Sequence, residues 1–184
     1  FYCAQSPRAW LRGAIGAYVS FFIGMPLVVL LFLVYYGAPQ LGVRLTPFTV
    51  AALGFTLNVA AYNAAYLGTA RNGLDPVEIE AAVAQGFSHW QVFRQIMLPQ
   101  VLRQSVPALT NQVILNIKDS TVAFLIQYVE FFARIQELAS TNFRFFEAYT
   151  LAAVVYLALV SLVVLGARAL ERRVVVPGLT RARH

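Results

Sequence analysis

Lys118, the only lysine in the chain, stands beside Asp119 and Ser120 in "NIKDSTVAFLI", at the end of an uncharged run. A cation, an acid and a hydroxyl in a row can hold a zwitterion, because charge-assisted hydrogen bonds to a carboxylate or an amine are the strong ones. Asn58 and Tyr62, a helical turn apart in "TLNVAAYNAAY", add an amide and a phenol among apolar neighbours. Each has a plainer reading as well. Lys118 and Asp119 can form a structural ion pair, and Asn58 and Tyr62 can serve as hydrogen bonds between helices. Bond-making chemistry has less to stand on. A phosphate-cradling loop needs Gly-Lys-Ser/Thr, and here the lysine follows Ile117. His89, His184 and Cys3 are too scattered for a metal cluster or a base–nucleophile pair. A single cysteine also rules out an intrachain disulfide. His89 reads as a solvated residue in the first turn of a helix.

The elements that position these residues follow from composition. The 184 residues are 59% hydrophobic and 12% charged, about half the charge of an ordinary soluble domain. No charge interrupts the chain between Arg12 and Arg44, between Arg44 and Arg71, or between Glu147 and Arg168. A membrane crossing takes about 20 predominantly apolar residues, so each gap holds one, at about 14–36, 47–69 and 147–168. Pro26 should kink the first. A fourth crossing is expected at about 101–119, although its uncharged core, 104–117, is only about 21 Å long. Without it the basic insert at 71–99 and the basic tail would face opposite sides. Pro107, Asn111, Gln112 and Asn116 turn this helix toward protein rather than lipid.

Orientation follows from the cations. Arg8, Arg12, Arg71, Arg94, Arg103, Arg168 and the arginines of the tail share one side, and Arg44, Lys118, Arg134 and Arg144 the other. The positive-inside rule makes the first side cytoplasmic. These cations flank apolar runs rather than gathering with aromatics on a polar face, which speaks against nucleic acid. On the outer side, 120–146 is apolar but broken by Glu130, Arg134 and Glu137. It reads either as a partly re-entrant or interfacial helix or as ordinary packing against the bundle.

The insert carries its own punctuation. Asp75, Pro76 and Glu78 start a helix, and Gly86 stops it in the manner of a left-handed terminus. Ser88 and Gln91 form a capping box, Phe87 is placed to staple against Val92, and Pro99 marks the end. Phe87, Trp90, Phe93 and Met97 recur at steps of three or four as one apolar stripe. A surface-lying amphipathic helix accounts for the stripe alone. A rigid, doubly capped pair between two crossings suits docking into a groove on a cytoplasmic partner.

Here a family resemblance enters. Glu80-Ala81-Ala82, Gly86 and Ile96-Met97-Leu98-Pro99 are similar, without a gap, to the cytoplasmic "EAA…G…I-x-L-P" signature of ABC-importer permeases. "FIGMPLVVLLFLVYYGAP", "TLNVAAYNAAYLGTARNG" and "NIKDSTVAFLI" resemble three further stretches of the polar amino acid branch (histidine, glutamine and arginine type), so the similarity covers nearly the whole chain. The resemblance implies an all-α membrane protein with the type I importer bundle, four crossings of it visible here and a first helix upstream. It implies a coupling helix that fits a cleft on an ATPase, with Glu80, Ala81, Ala82, Gly86, Phe87, Ser88, His89, Trp90, Arg94 and Pro99 carrying the contact. The implied partners are an ATPase dimer holding ATP and magnesium, a second permease copy or a homologous one, and a periplasmic or lipid-anchored amino acid binding protein. All would act at a bacterial inner membrane, with this chain set in its lipid and itself binding no cofactor. For substrate contact the candidates are Asn58, Tyr62, Lys118, Asp119 and Ser120.

The match has departures. Ile23 and Met25 stand where the family has Arg and Thr, and Ala65 and Gly68 where it has Glu and Arg. Any role of those polar groups is therefore absent here or has moved to a partner permease. An importer for another small solute, such as an opine or osmolyte, uses the same machinery. An ion channel or a structural membrane subunit would need no ATPase plug, and co-purification with an ATPase separates these classes.

Overall fold

The computed structural model describes residues 9–174, with side chains as far as residue 170. Cys3, Arg8, Arg181, Arg183 and His184 lie outside the described residues, as do the side chains of Arg172 and Arg173. All the described elements are helical: α1 (Ala9–Gly24), α2 (Leu27–Gly37), α3 (Pro47–Asn72), α4 (Pro76–Ala84), α5 (His89–Gln91), α6 (Leu98–Asp119), α7 (Phe131–Asn142) and α8 (Phe145–Val174). Short 3₁₀ stretches follow α2 and α6, and a π turn, Val92–Met97, joins α5 to α6.

The run expected as one kinked crossing, 14–36, is instead two helices meeting at 100°. Pro26 explains the difference. Its ψ of 134° is extended, and it has no N–H to offer the Phe22 carbonyl four residues back. That carbonyl accepts from Asn58 Nδ2 of α3 instead, at 3.1 Å. The Met25 N–H closes α1 on Phe21 O at 3.1 Å, and the Leu30 N–H opens α2 on Pro26 O at 3.1 Å.

α2 then seats on α3 at a glycine. A Cβ on Gly54 would stand 2.5 Å from Leu31 Cδ2, and Leu31 is fully buried with Val50, Ala51, Ala123 and Ile126. α3 itself starts under a Thr46 cap, whose Oγ1 accepts from Thr49 N–H at 3.2 Å, with Pro47 in its first turn. Its 26 residues give a length of about 39 Å, more than the hydrocarbon core. α3 and the stretch Phe145–Leu170 of α8 are each long and apolar enough to cross a membrane, and α1 with α2 makes a third if the bent pair is one span. α6 is more polar over its 22 residues and runs unbroken through Pro107.

Beyond α6 the chain turns at Gln127 (φ 63°) and enters α7. Glu130 caps that helix, its two carboxylate oxygens accepting from the Phe132 and Ala133 N–H groups at 2.7 Å each. α7 buries Ile135 and Ala139 against Ala148 and Ala152 of α8.

Candidate functional site

Two places on this frame offer chemistry: the insert at one end of the α3–α6 hairpin, and toward the other a largely apolar cavity with a few polar residues in its wall.

The insert folds by local rules. Asp75 Oδ1 accepts from Val77 N–H at 2.9 Å to open α4. Gly86 has φ 86°; its N–H reaches Val83 O at 3.0 Å and the Phe87 N–H reaches Ala82 O at 3.1 Å. This is the Schellman ending, which favours glycine at that position. Ser88 and Gln91 complete the capping box, with Ser88 N–H on Gln91 Oε1 at 2.8 Å and Gln91 N–H on Ser88 Oγ at 3.3 Å. Glu78 accepts from Gln100 Nε2 at 2.7 Å, fastening α4 to the base of α6.

The apolar stripe divides in two. Val92 and Met97 are buried with Leu74, Ala82 and Val101, and Phe87 and Ile96 pack against that cluster. Trp90 is 55% exposed and stacks on Phe93 at 5.6 Å between centroids. Glu80, Ala81, Gly86, Ser88, His89 and Arg94 are exposed, whereas Ala82 faces the core. The insert thus presents Val77, Val83 and Trp90 beside the exposed Glu80 and Arg94, an apolar patch with charge of both signs at its edge. Pro99 does not end the helix. The chain passes from α5 through the π turn into α6, with the Leu98 N–H bonding to Phe93 O, five residues back.

At the other site, a cavity of about 250 Å³ is lined by Phe48, Phe55, Asn116, Ser120, Tyr128 and Glu130, among others. Ser120 lines it; Asn58, Tyr62, Lys118 and Asp119 do not. The Asn58 amide is engaged with Phe22 O, and the Tyr62 ring faces Tyr66 at 6.2 Å. Lys118 and Asp119 are exposed at the end of α6, and no salt bridge joins them. Adjacent helical residues point about 100° apart, which favours separate partners. Ser120 Oγ donates to Ile117 O, and Thr121 Oγ1 to Lys118 O, both at 2.8 Å.

Asn116, Tyr128 and Glu130 are the cavity residues that the sequence did not single out as contacts. Asn116 ends a relay across the hairpin: Tyr66 OH donates to Gln112 Oε1 at 3.3 Å, and Gln112 Nε2 donates to Asn116 Oδ1 at 3.1 Å. Gln112 is 4% exposed. The one sequence signal for the relay is spacing, Tyr62 with Tyr66 and Gln112 with Asn116 each standing one helical turn apart.

These features describe an all-α bundle with a capped helix pair inserted between α3 and α6, and comparison with known proteins gives the family. The chain belongs to the family described as "Binding-protein-dependent transport system inner membrane component", whose profile matches residues 1–176. "Probable amino-acid permease protein YxeN" of Bacillus subtilis (strain 168) is 40% identical over 142 residues, 76% of this chain and 63% of its own length. "Probable amino-acid ABC transporter permease protein PatM" of Vibrio harveyi is 42% identical over 142 residues, 76% of this chain and 64% of its own. The chain therefore spans somewhat less than two thirds of these two relatives. A solved structure described as "Crystal structure of an amino acid ABC transporter with histidines" superposes with a TM-score of 0.87 at 27% identity, covering 94% of this chain and 80% of the other.

Proposed function

We propose that this chain is the transmembrane subunit of an ATP-driven importer for polar amino acids, and that residues 71–99 plug into a cytoplasmic ATPase. The observation that carries the reading is the insert itself. It is a doubly capped helix pair fixed to α3 and α6 by a small core, yet it turns Trp90, Val77 and Val83 outward. Rigid elements that expose an aromatic anchor are built to dock, since tryptophan dominates the binding energy of many interfaces.

In this reading Glu80, Ala81, Ser88, His89, Trp90 and Arg94 face the ATPase, while Ala82, Gly86, Phe87 and Pro99 hold the shape that presents them. Closure of an ATPase dimer around ATP and magnesium would draw two such inserts together, one from this chain and one from a second or homologous permease. The α3–α6 hairpin would carry that motion toward the cavity at Asn116, Ser120 and Glu130. There the Asn116 amide and the Ser120 hydroxyl would meet the polar groups of an amino acid delivered by an external binding protein, with Phe48, Phe55 and Tyr128 beside its apolar part. Lys118 and Asp119 would act as flanking charges at the mouth of that path, with Asn58 and Tyr62 along α3. Four crossings with the insert and tail on the cytoplasmic side satisfy the distribution of cations.

Trp90→Glu puts a charge into the apolar patch without touching either cap. The prediction is that the variant still inserts and purifies, while its affinity for the co-purifying ATPase drops about tenfold or more. Undiminished ATPase in the purified complex would remove the docking role.

A further inference from the structure

The joint between the insert and α6 has an unusual geometry. Val92 and Met97 are both buried in one cluster although they are five residues apart. In a regular α-helix, residues five apart point about 140° away from each other, so one of the two would leave the core. A ladder closing on the fifth residue sets them on the same face, and the Leu98 N–H does bond to Phe93 O. Pro99 contributes the local cause. Lacking an N–H and crowding the carbonyl four residues back, it disfavours the regular ladder at Gln95. The exposed residues of the turn are Arg94 and Gln95, on the side away from the cluster.

We propose that the π turn Val92–Met97 is a register switch, in which loading of the insert tightens the turn into regular α-helix and re-registers the insert against α6. The proposal rests on the docking function above. The shift available is up to one residue, about 1.5 Å along the axis and about 100° around it. α6 carries Gln112, Asn116 and, just beyond its end, Ser120, so the same shift re-aims the polar groups at the relay and the cavity. Two seatings of one helix on one core make a bistable element of the kind that converts a local load into a distant rearrangement.

Deleting Gln95 provides the test. With one residue fewer, Val92 and Met97 stand four apart and share a face of a regular α-helix. The present arrangement of insert and α6 is then kept and the second seating is lost. In the full complex with the ATPase and binding protein, the deletion variant should still assemble. Substrate-stimulated hydrolysis and transport should fall by about tenfold or more, the range of an ordinary coupling between sites. Wild-type transport from an assembled deletion complex would overturn the switch. Amide exchange across 92–98 in the unaltered complex gives the second readout: exchange should slow when ATP is trapped, and an unchanged pattern would overturn the proposal even if the deletion variant failed to assemble. Failure of the docking function itself would show differently, as a wild-type complex whose hydrolysis does not respond to substrate.

Discussion

Two prolines, Pro26 and Pro99, each remove a backbone donor from a helical stretch, and the chain bends by 100° at the first while running on through the second. The contrast lies in what surrounds them. Pro26 follows Gly24 and Met25, and the carbonyl it orphans is taken by a side chain from a neighbouring helix, Asn58. Pro99 follows a stretch whose apolar residues are packed into a core, and the ladder there widens to keep Val92 and Met97 buried. A proline thus breaks a helix where a partner can satisfy the loose carbonyl. It is absorbed where packing on both sides holds the helix together.

The contrast can be broken at its most tightly packed point first. Gly54→Leu would drive a side chain into the fully buried Leu31 and unseat α2 after its bend; a loss of about 1–3 kcal/mol is expected, read as a lower unfolding temperature of the purified complex. Next comes the handover at Pro26. Asn58→Leu should cost about 1 kcal/mol, typical of a hydrogen bond between membrane helices. In a Pro26→Ala background, where the main chain can again supply the donor, a double-mutant cycle should show that cost falling by more than half. Equal costs in both backgrounds would mean that the amide does not replace the missing N–H. The smallest effect tests the side of the molecule that needs no distant partner. Ser88→Ala removes the cap ahead of the π turn, and at about 0.5 kcal/mol should speed amide exchange at Gln91 about twofold.

How much was legible in the sequence follows the same divide. The insert could be read almost residue by residue, because Asp75 with Val77, Gly86 with Val83, and Ser88 with Gln91 satisfy one another within three residues. The division of its aromatic stripe could not be read, since the π turn changes the angular spacing on which that stripe was drawn. The bundle's polar interior was less visible still. Asn58 and Phe22 stand 36 residues apart, and Tyr66 and Gln112 stand 46 apart, so only the tertiary fold brings either pair together. In the sequence Glu130 is visible only as a charge interrupting an apolar segment. Its place as the cap of α7 and in the cavity wall depends on the turn at Gln127, whose positive φ no glycine announces.

Transmission of force between this chain and an ATPase, as proposed for the insert, depends most directly on Gly86. Gly86→Pro both forbids the positive φ and removes the N–H that closes α4 on Val83, so the two short helices can no longer hold their present angle. The decisive measurement is substrate-stimulated ATP hydrolysis by the reconstituted complex, wild type against Gly86→Pro. Loss of stimulation or of assembly is the predicted result. Hydrolysis that still rises with substrate to the wild-type level would mean that the insert does not couple this chain to an ATPase.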